Sequence, residues 1–399
     1  MKQTERSRRI PDLTPEQQVL LLCARVGTTR QQGEALRELG SRVTRWEELC
    51  GSTVPHRLSS LTYTHLKQQL EGELPELAKQ NLQRLSRWQA FSYLKIAGAQ
   101  KKLNEEILQP SQIPHVFFKG IGLAEEYYPV PSYRPCRDID VWVHPDGMGE
   151  LWKRMDAAGY QRLKKPDRSH EIPAHHAAYL LPTIDVLSPD GTLIEIHTRF
   201  DHSGLTLDAD KIHVRSKTID ISSGRLRVPC LEDHFIYICQ HHTRHLWARL
   251  RWFVDLDAFE KYPGFSRSAV LEHARTTHLG RTVEACFDLY DGLQDPGRWR
   301  VPCASSTGQD LKIWVFNAVV SGPDELNEAA RDRRSPDFAL RWQYSWWYIV
   351  LVRLQRLKPT QADYLAAPLE RRQWWLYYLA RPFRLIRQYF ARSSEFRVE

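Results

Sequence analysis

Residues 138–143, Asp-Ile-Asp-Val-Trp-Val, alternate carboxylates with apolar side chains, and this alternation predicts a β-strand. Successive side chains on a strand point to opposite faces, so Asp138 and Asp140 share one face, about 7 Å apart along the backbone. Ile139 and Val141 face the other way, into a core. Two ionised carboxylates this close repel each other. A divalent metal ion that also binds substrate phosphates is the commonest way in which such repulsion is offset. The alternative is a solvated strand edge, because so short a motif also arises by chance.

The residues before this strand predict a strand, a glycine turn and a helix. Residues 115–118 form a short apolar run, and Lys119 and Gly120 follow where a helix is expected to begin. A helix N-terminus offers free N–H groups to phosphate oxygens, and glycine allows close approach. A solvated turn lysine is the alternative for Lys119. Arg134 lies in a proline-rich loop expected to overhang the site, where its guanidinium would bind phosphate or simply face solvent.

A second acidic strand is predicted further along the chain. Residues 184–187 and 193–200 read as a hairpin joined by a Pro-Asp-Gly turn, with Glu195, His197 and Arg199 on one face of the second strand. If this strand lies beside the first acidic strand, Glu195 completes a cluster of three carboxylates, about the number that two divalent ions need. The alternative is an exposed glutamate paired with Arg199.

A helix with a polar face is predicted over residues 231–262. At 100° per residue, one face of this helix carries five side chains: His241, His245, Arg249, Trp252 and Asp255. We expect this face to form a wall of the site, with its cations toward nucleotide phosphates and Asp255 orienting a histidine or Arg249. A buried polar network that ties the helices to the sheet is the alternative. Zinc is disfavoured because no HExxH glutamate lies between the histidines.

These motifs together resemble the uncharacterised nucleotidyltransferase family of the DNA polymerase beta superfold. The residues that carry the resemblance are Lys119-Gly120, Arg134-Pro135, Asp138-Ile139-Asp140, Glu195-Ile196-His197, the stretch 241–255 and Arg381-Pro382. It spans about residues 20–390. Where the wider superfold has a glycine-serine doublet, this chain has Lys-Gly-Ile-Gly.

The resemblance implies a metal-dependent transfer of a nucleoside monophosphate from an NTP, for example ATP, to an acceptor hydroxyl, with release of pyrophosphate. The residues expected to bind Mg²⁺ or Mn²⁺ and to catalyse transfer are Asp138, Asp140 and Glu195. Those expected to contact the nucleotide are Lys119, Gly120, Arg134, His241, His245, Arg249 and Asp255. A kinase, and an inactive nucleotide-sensing or interaction protein of the same fold, are the alternative functions.

For the acceptor, the resemblance implies a peptide natural product as one candidate, and a protein or a small molecule are others. Nucleic acid is not favoured, since no stacking motif of an RNA-binding module occurs. From residue 371 to 392 arginines are interleaved with aromatic residues. We expect these to cap a helical core, with arginine stems covering the rings. Binding to single-stranded nucleic acid or to a membrane surface is the alternative.

The order of predicted helices and strands along the chain predicts an α+β fold, in which a small mixed sheet is flanked by helices. We expect a helical region over 1–109, with a helix start at Thr14-Pro15, the nucleotidyltransferase core over 110–230, and a second helical region over 231–399. Residues 177–181 are expected to form a further strand. The 399 residues include 42% hydrophobic and 26% charged residues, which excludes disorder as the main state.

The net charge and the cysteine content indicate the kind of partner and the cellular compartment. The formal net charge of +8 favours anionic partners without naming one. No run of about 18 apolar residues predicts a membrane span, and the basic start lacks the apolar stretch of a secretory signal. The 7 cysteines are odd in number and contain no CxxC pair. We therefore expect a cytoplasmic protein without a disulfide framework or zinc site.

Overall fold

The chain is an α+β protein in which helices flank one small mixed sheet, as predicted. The computed structural model describes residues 10–70, 72–201, 204–222, 224–323 and 357–382, with 346, 350, 351, 354 and 384 as single residues. Within these residues, no helix has the length and apolar character needed to cross a bilayer.

The described residues from 15 to 111 are mostly helical, as their apolar spacing predicts. Thr14 caps the first helix, and its side chain and that of Gln17 close a capping box around Pro15. The helices are α1 Pro15–Leu22, α2 Arg30–Ser41, α3 Trp46–His56, α4 Ser59–Gln69 and α5 Glu76–Lys102. The last of these continues through a π-helical turn, Leu103–Leu108, and a final turn, Gln109–Ser111.

The sheet has five strands in the order β1-β2-β5-β4-β3. Only β2 and β5 run parallel, and the other neighbours are antiparallel. The strands are β1 His115–Phe117, β2 Asp138–Val143, β3 Gln161–Arg162, β4 Thr183–Leu187 and β5 Leu193–His197, followed by a separate hairpin of β6 Lys217–Ile221 and β7 Gly224–Val228. Four helices lie among them: α6 Gly120–Tyr127, α7 Met148–Ala157, α8 Ala174–Leu180 and α9 Ala209–Arg215.

The strand expected at 177–181 is wrong, because most of this segment lies in α8. Pro173 precedes the helix, and the buried residues Ala174, Ala177 and Ala178 recur at helical spacing. Alanine has high helix propensity and low strand propensity, and here the packing of a small-residue face agrees with that propensity.

Helices also follow the hairpin along the chain. They are α10 Leu231–Arg244, α11 Arg251–Glu260, α12 Arg267–Thr276, α13 Gly280–Gly292, α14 Pro296–Trp299, α15 Ser306–Ser321 and α16 Gln361–Ala366. Of the aromatic tail, residues 383 and 385–392 lie outside the described part. Within that part, Tyr377 is buried and Trp374 packs on the core, whereas Trp375 and Tyr378 are exposed.

The continuous helix predicted over 231–262 is also wrong, because α10 and α11 are separated by a turn. Leu246 and Trp247 adopt positive φ values of 55° and 52°. The amide of Trp247 donates to the carbonyl of His242 at 3.1 Å, and its fully buried indole donates to Thr243 Oγ1 at 3.2 Å. Burial of this large ring therefore outweighs helix propensity at a point where no glycine or proline marks a stop.

The two faces of the sheet are buried in different ways. Ile139, Val141 and Ile194 belong to an apolar cluster with the end of α5, α7 and α8. Trp142 belongs to a second cluster with the C-terminal helices. Because strand side chains alternate, the acidic residues of β2 lie on the Trp142 face, toward α10 and α11.

Candidate functional site

The strand register brings carboxylates from three adjacent strands into one row. Asp140 on β2 is paired with Glu195 on β5, and Glu195 is paired with Asp185 on β4. The two acidic strands are neighbours, which is the condition under which Glu195 joins the acidic cluster. Asp185 was missed, although folding the hairpin about its Pro-Asp-Gly turn gives this register. Its Oδ2 accepts from Lys165 Nζ at 2.7 Å, so this third carboxylate is already neutralised.

Three side chains of this cluster are placed to share a metal ion. The ligand atoms of Asp140, Glu195 and His197 all lie within 4.8 Å of one another. His197 Nε2 is 3.1 Å from Asp140 Oδ1 and 3.4 Å from Glu195 Oε2. The half-buried Asp138 adjoins the group, and burial together with the charges of Asp140 and Glu195 raises its pKa. The acids on this face of the sheet therefore repel one another.

Lys119 supplies one compensating charge. Its Nζ donates to Asp140 Oδ1 at 2.7 Å and lies 5.5 Å and 5.7 Å from the ring centres of Phe118 and Tyr237. Burial opposes ionisation of Asp140, yet the Lys119 ammonium and the His197 hydrogen bond hold its pKa below the usual range. The lysine predicted to hold phosphates at a helix end thus contacts the acidic strand directly.

Gly120 makes the predicted turn between β1 and α6. Its φ of 59° is a left-handed conformation that favours glycine. A Cβ atom built on it would lie 3.6 Å from the carbonyl oxygen of Asp138. The N-terminus of α6 is therefore adjacent to the start of the acidic strand, as the order of strand, glycine turn and helix predicts.

Arg134 does not overhang the site as expected, because it is buried behind the glycine turn. Its Nε donates to Asp255 Oδ1 at 2.8 Å, and its Nη1 donates to the Gly120 carbonyl at 3.3 Å. Asp255 also accepts from the Tyr128 hydroxyl at 2.6 Å and lies 3.1 Å from His242 Nε2. For Asp255 the structure matches the alternative of a buried polar network that ties the helices to the sheet, and Arg134, expected to face phosphate or solvent, belongs to that network.

A cavity of about 510 Å³ opens over the acidic row. Its charged lining residues are Arg57, Lys119, Asp138, Asp140, Lys165, Asp185, Glu195, Arg199, Asp201, Arg244, Arg249 and Arg251. The seven cationic side chains in this lining outnumber the five acidic ones. Such a cavity suits a ligand that combines negative charge with bound cations.

Four of the five residues predicted on one helical face line this cavity, despite the turn between α10 and α11. They are His241, His245, Arg249 and Trp252, whereas Asp255 lies behind the site. Burial and the nearby Lys119 charge lower the pKa of His241 well below its usual value, and burial lowers that of His245 to about 3. The two histidines are therefore neutral near pH 7, so the arginines supply the positive charge of this wall.

Sequence reasoning also missed three arginines of the lining, Arg57, Arg244 and Arg251. The first is separated from the acidic strand by 80 residues, and no local pattern distinguishes it from a surface arginine.

The family model described as uncharacterised nucleotidyltransferase matches residues 43–293. No curated protein matches the chain. The matched region begins between α2 and α3 and ends just after α13, so it extends beyond the sheet on both sides.

Proposed function

The chain belongs to the family of uncharacterised nucleotidyltransferases, and we propose on that basis that it transfers a nucleoside monophosphate from an NTP, such as ATP, to an acceptor hydroxyl. One observation carries the proposal. The strand register sets Asp140 and Glu195 side by side, with His197, at the floor of a cavity whose walls carry several arginines. Metal-binding acids beside phosphate-binding cations are what transfer from an NTP requires.

The donor set fits a divalent metal. Asp140 and Glu195 offer the carboxylate oxygens that Mg²⁺ and Mn²⁺ prefer, and His197 adds a nitrogen better suited to Mn²⁺. Burial and the negative charges of Asp140 and Glu195 raise the pKa of Asp138, and a bound cation would counter the repulsion between these charges. When bound, the metal supplies positive charge to the phosphates and to the departing pyrophosphate.

The reaction we propose is an in-line displacement at the α-phosphorus. The acceptor oxygen forms a bond to that phosphorus, and the bond to the oxygen bridging the α- and β-phosphates breaks. The electron pair of the broken bond stays on pyrophosphate. The Glu195 carboxylate, whose side chain is 30% exposed, accepts the proton of the acceptor hydroxyl. Lys119 keeps Asp140 ionised and oriented.

The acceptor approaches from the mouth of the cavity. A volume of about 510 Å³ holds one nucleotide-sized ligand, which leaves the acceptor outside the enclosed part. We favour a peptide, a protein or a small molecule, selected by the helices that flank the sheet, over nucleic acid.

Mass spectrometry tests this function. The purified protein and candidate acceptors are incubated with Mg²⁺ or Mn²⁺ and mixed NTPs, and we expect adducts of one NMP together with pyrophosphate. Asp140→Asn should lower the rate by on the order of 100-fold or more, because a carboxylate of the proposed metal site is lost. Asp220→Asn, a change at an 87% exposed aspartate of the hairpin, should leave the rate unchanged.

Three outcomes would contradict the proposal. Transfer at the parent rate by Asp140→Asn would exclude the proposed site. Release of NDP instead of pyrophosphate would indicate a kinase. Stabilisation by NTP without any need for metal, and without product, would indicate a nucleotide-sensing protein.

A further inference from the structure

Arg57 occupies a backbone position that does not suit an arginine. It follows the last residue of α3 with φ 58° and ψ 45°. Its amide donates to the Val54 carbonyl at 3.0 Å, and the amide of Leu58 donates to the Thr53 carbonyl at 2.9 Å. This is the Schellman arrangement that closes many helices, in which glycine or asparagine is strongly preferred at the left-handed position. An unfavourable conformation held by its surroundings is a feature of functional sites.

A buried contact fixes this helix end beside the turn that precedes α11. The amide of Leu250 donates to Nδ1 of His56 at 3.3 Å, and the imidazole is 2% exposed. Leu250 lies between Arg249 and Arg251, so the contact brings Arg57 next to both. The Nη1 of Arg251 donates to the Pro135 carbonyl at 2.9 Å, just before the acidic strand.

Four arginines are gathered on the wall of one cavity. Arg57, Arg244, Arg249 and Arg251 all line the cavity over the acidic row. Among the described atoms, the buried Nε atoms of Arg57 and Arg251 make no hydrogen bond. Burial and the charges of Arg251, Arg137 and Arg249 lower the pKa of Arg57. Like charges held together repel, and guanidinium groups satisfy their donors best on phosphate or carboxylate oxygens.

We propose that Arg57, Arg249 and Arg251 form a polyphosphate-binding site and that the N-terminal helices thereby contribute a nucleotide-binding residue. The inference rests on the proposed function for its ligand, the β- and γ-phosphates of an NTP. The three arginines hold these phosphates, while the acidic row with its metal acts at the α-phosphate. A single phosphate meets only part of this cluster, so affinity should rise from phosphate to pyrophosphate to tripolyphosphate.

Calorimetric titration with inorganic tripolyphosphate in EDTA tests the arginines without metal or catalysis. The full-length protein should bind it, and Arg57→Asn should weaken the Kd about tenfold or more through the loss of a charged donor. Arg84→Asn, at an exposed arginine of α5, is the matched control and should leave the Kd unchanged. Without ligand, Arg57→Asn should unfold at the same temperature as the parent or higher, because asparagine suits the left-handed position and repulsion is relieved.

A merely structural role for Arg57 would give the reverse result, lower thermal stability with an unchanged Kd, and would overturn the proposal. Equal effects of Arg57→Asn and Arg84→Asn would also overturn it. Should Arg57→Asn fail to fold, Arg57→Gly places the preferred residue at the same position and the same Kd comparison decides.

The two proposals fail in distinguishable ways. If the protein transfers no NMP but tripolyphosphate binding depends on Arg57, the transferase function fails and the polyphosphate site stands. If transfer occurs and Arg57→Asn leaves both the KM for NTP and the Kd for tripolyphosphate unchanged, the polyphosphate site fails and the transferase function stands.

Discussion

At the residue scale, the ion pair between Lys119 and Asp140 compensates part of the negative charge of the acidic cluster. The carboxylate is 4% exposed and contacts Lys119 and His197, while Asp138 and Glu195 lie nearby. Lys119 is therefore a fixed cation inside a cluster of acids. Removing one partner of a buried ion pair leaves the other charge without compensation, which costs far more than losing an exposed pair.

Lys119→Met should accordingly destabilise the protein. We expect the free energy of unfolding in EDTA to fall by about 3 kcal/mol, because Asp140 loses its ammonium partner. Saturating Mn²⁺ should restore more stability to the variant than it adds to the parent, since the metal replaces the missing charge. Thermal and urea unfolding measure both effects. Lys211→Met, at a lysine whose side chain is 72% exposed, is the control. A Lys119→Met protein as stable as the parent would contradict this account.

At the scale of elements, one buried carboxylate connects the parts that surround the site. Asp255 on α11 contacts Arg134 from the loop before β2, Tyr128 at the end of α6 and His242 on α10. Burial opposes ionisation of Asp255, but the Arg134 guanidinium and the His242 hydrogen bond hold its pKa below the usual range. Through Arg134, the network reaches the Gly120 carbonyl and supports the turn from behind.

Asp255→Asn should therefore affect stability more than nucleotide binding. The amide keeps the shape but leaves Arg134 buried without its ion pair, and we expect a loss of about 3 to 5 kcal/mol in the free energy of unfolding. Urea denaturation measures this loss, with Asp156→Asn at an exposed residue of α7 as the control. The KM for NTP of the folded fraction should stay within a few-fold of the parent value. A stable variant with a greatly raised KM would instead place Asp255 at the nucleotide.

At the scale of the whole molecule, the sequence predicts the parts of the fold whose cause is local. The alternation in 138–143 predicts a strand with both acids on one face, and the Pro-Asp-Gly turn predicts the hairpin that carries Glu195. The turn at Trp247 was not predictable, because it depends on burying an indole against distant helices. For the same reason no local pattern showed that Arg134 is buried or that Arg57 reaches the cavity.

A buried carboxylate that joins three helices predicts how the stability of the whole protein depends on pH. Asp233 in α10 is 1% exposed and accepts from Arg215 Nε and Nη2, each at 2.8 Å, at the end of α9. His273 Nε2 in α12 is also 2.8 Å from it. Burial opposes ionisation, but the hydrogen bonds from His273 and Arg215 lower the pKa of Asp233 from 3.8 to about 2.

Because the folded-state pKa of Asp233 lies below its unfolded value, the carboxylate stabilises the fold above pH 4, and this contribution is lost as the pH falls from about 4 to about 2. The shift corresponds to about 2 kcal/mol. Asp233→Asn should lose a similar amount at pH 7 and show a flatter dependence of stability on pH across that window. Urea unfolding at several pH values measures the curves, with Asp220→Asn expected to follow the parent. Parallel curves for Asp233→Asn and the parent would mean that this carboxylate does not join α9, α10 and α12 energetically.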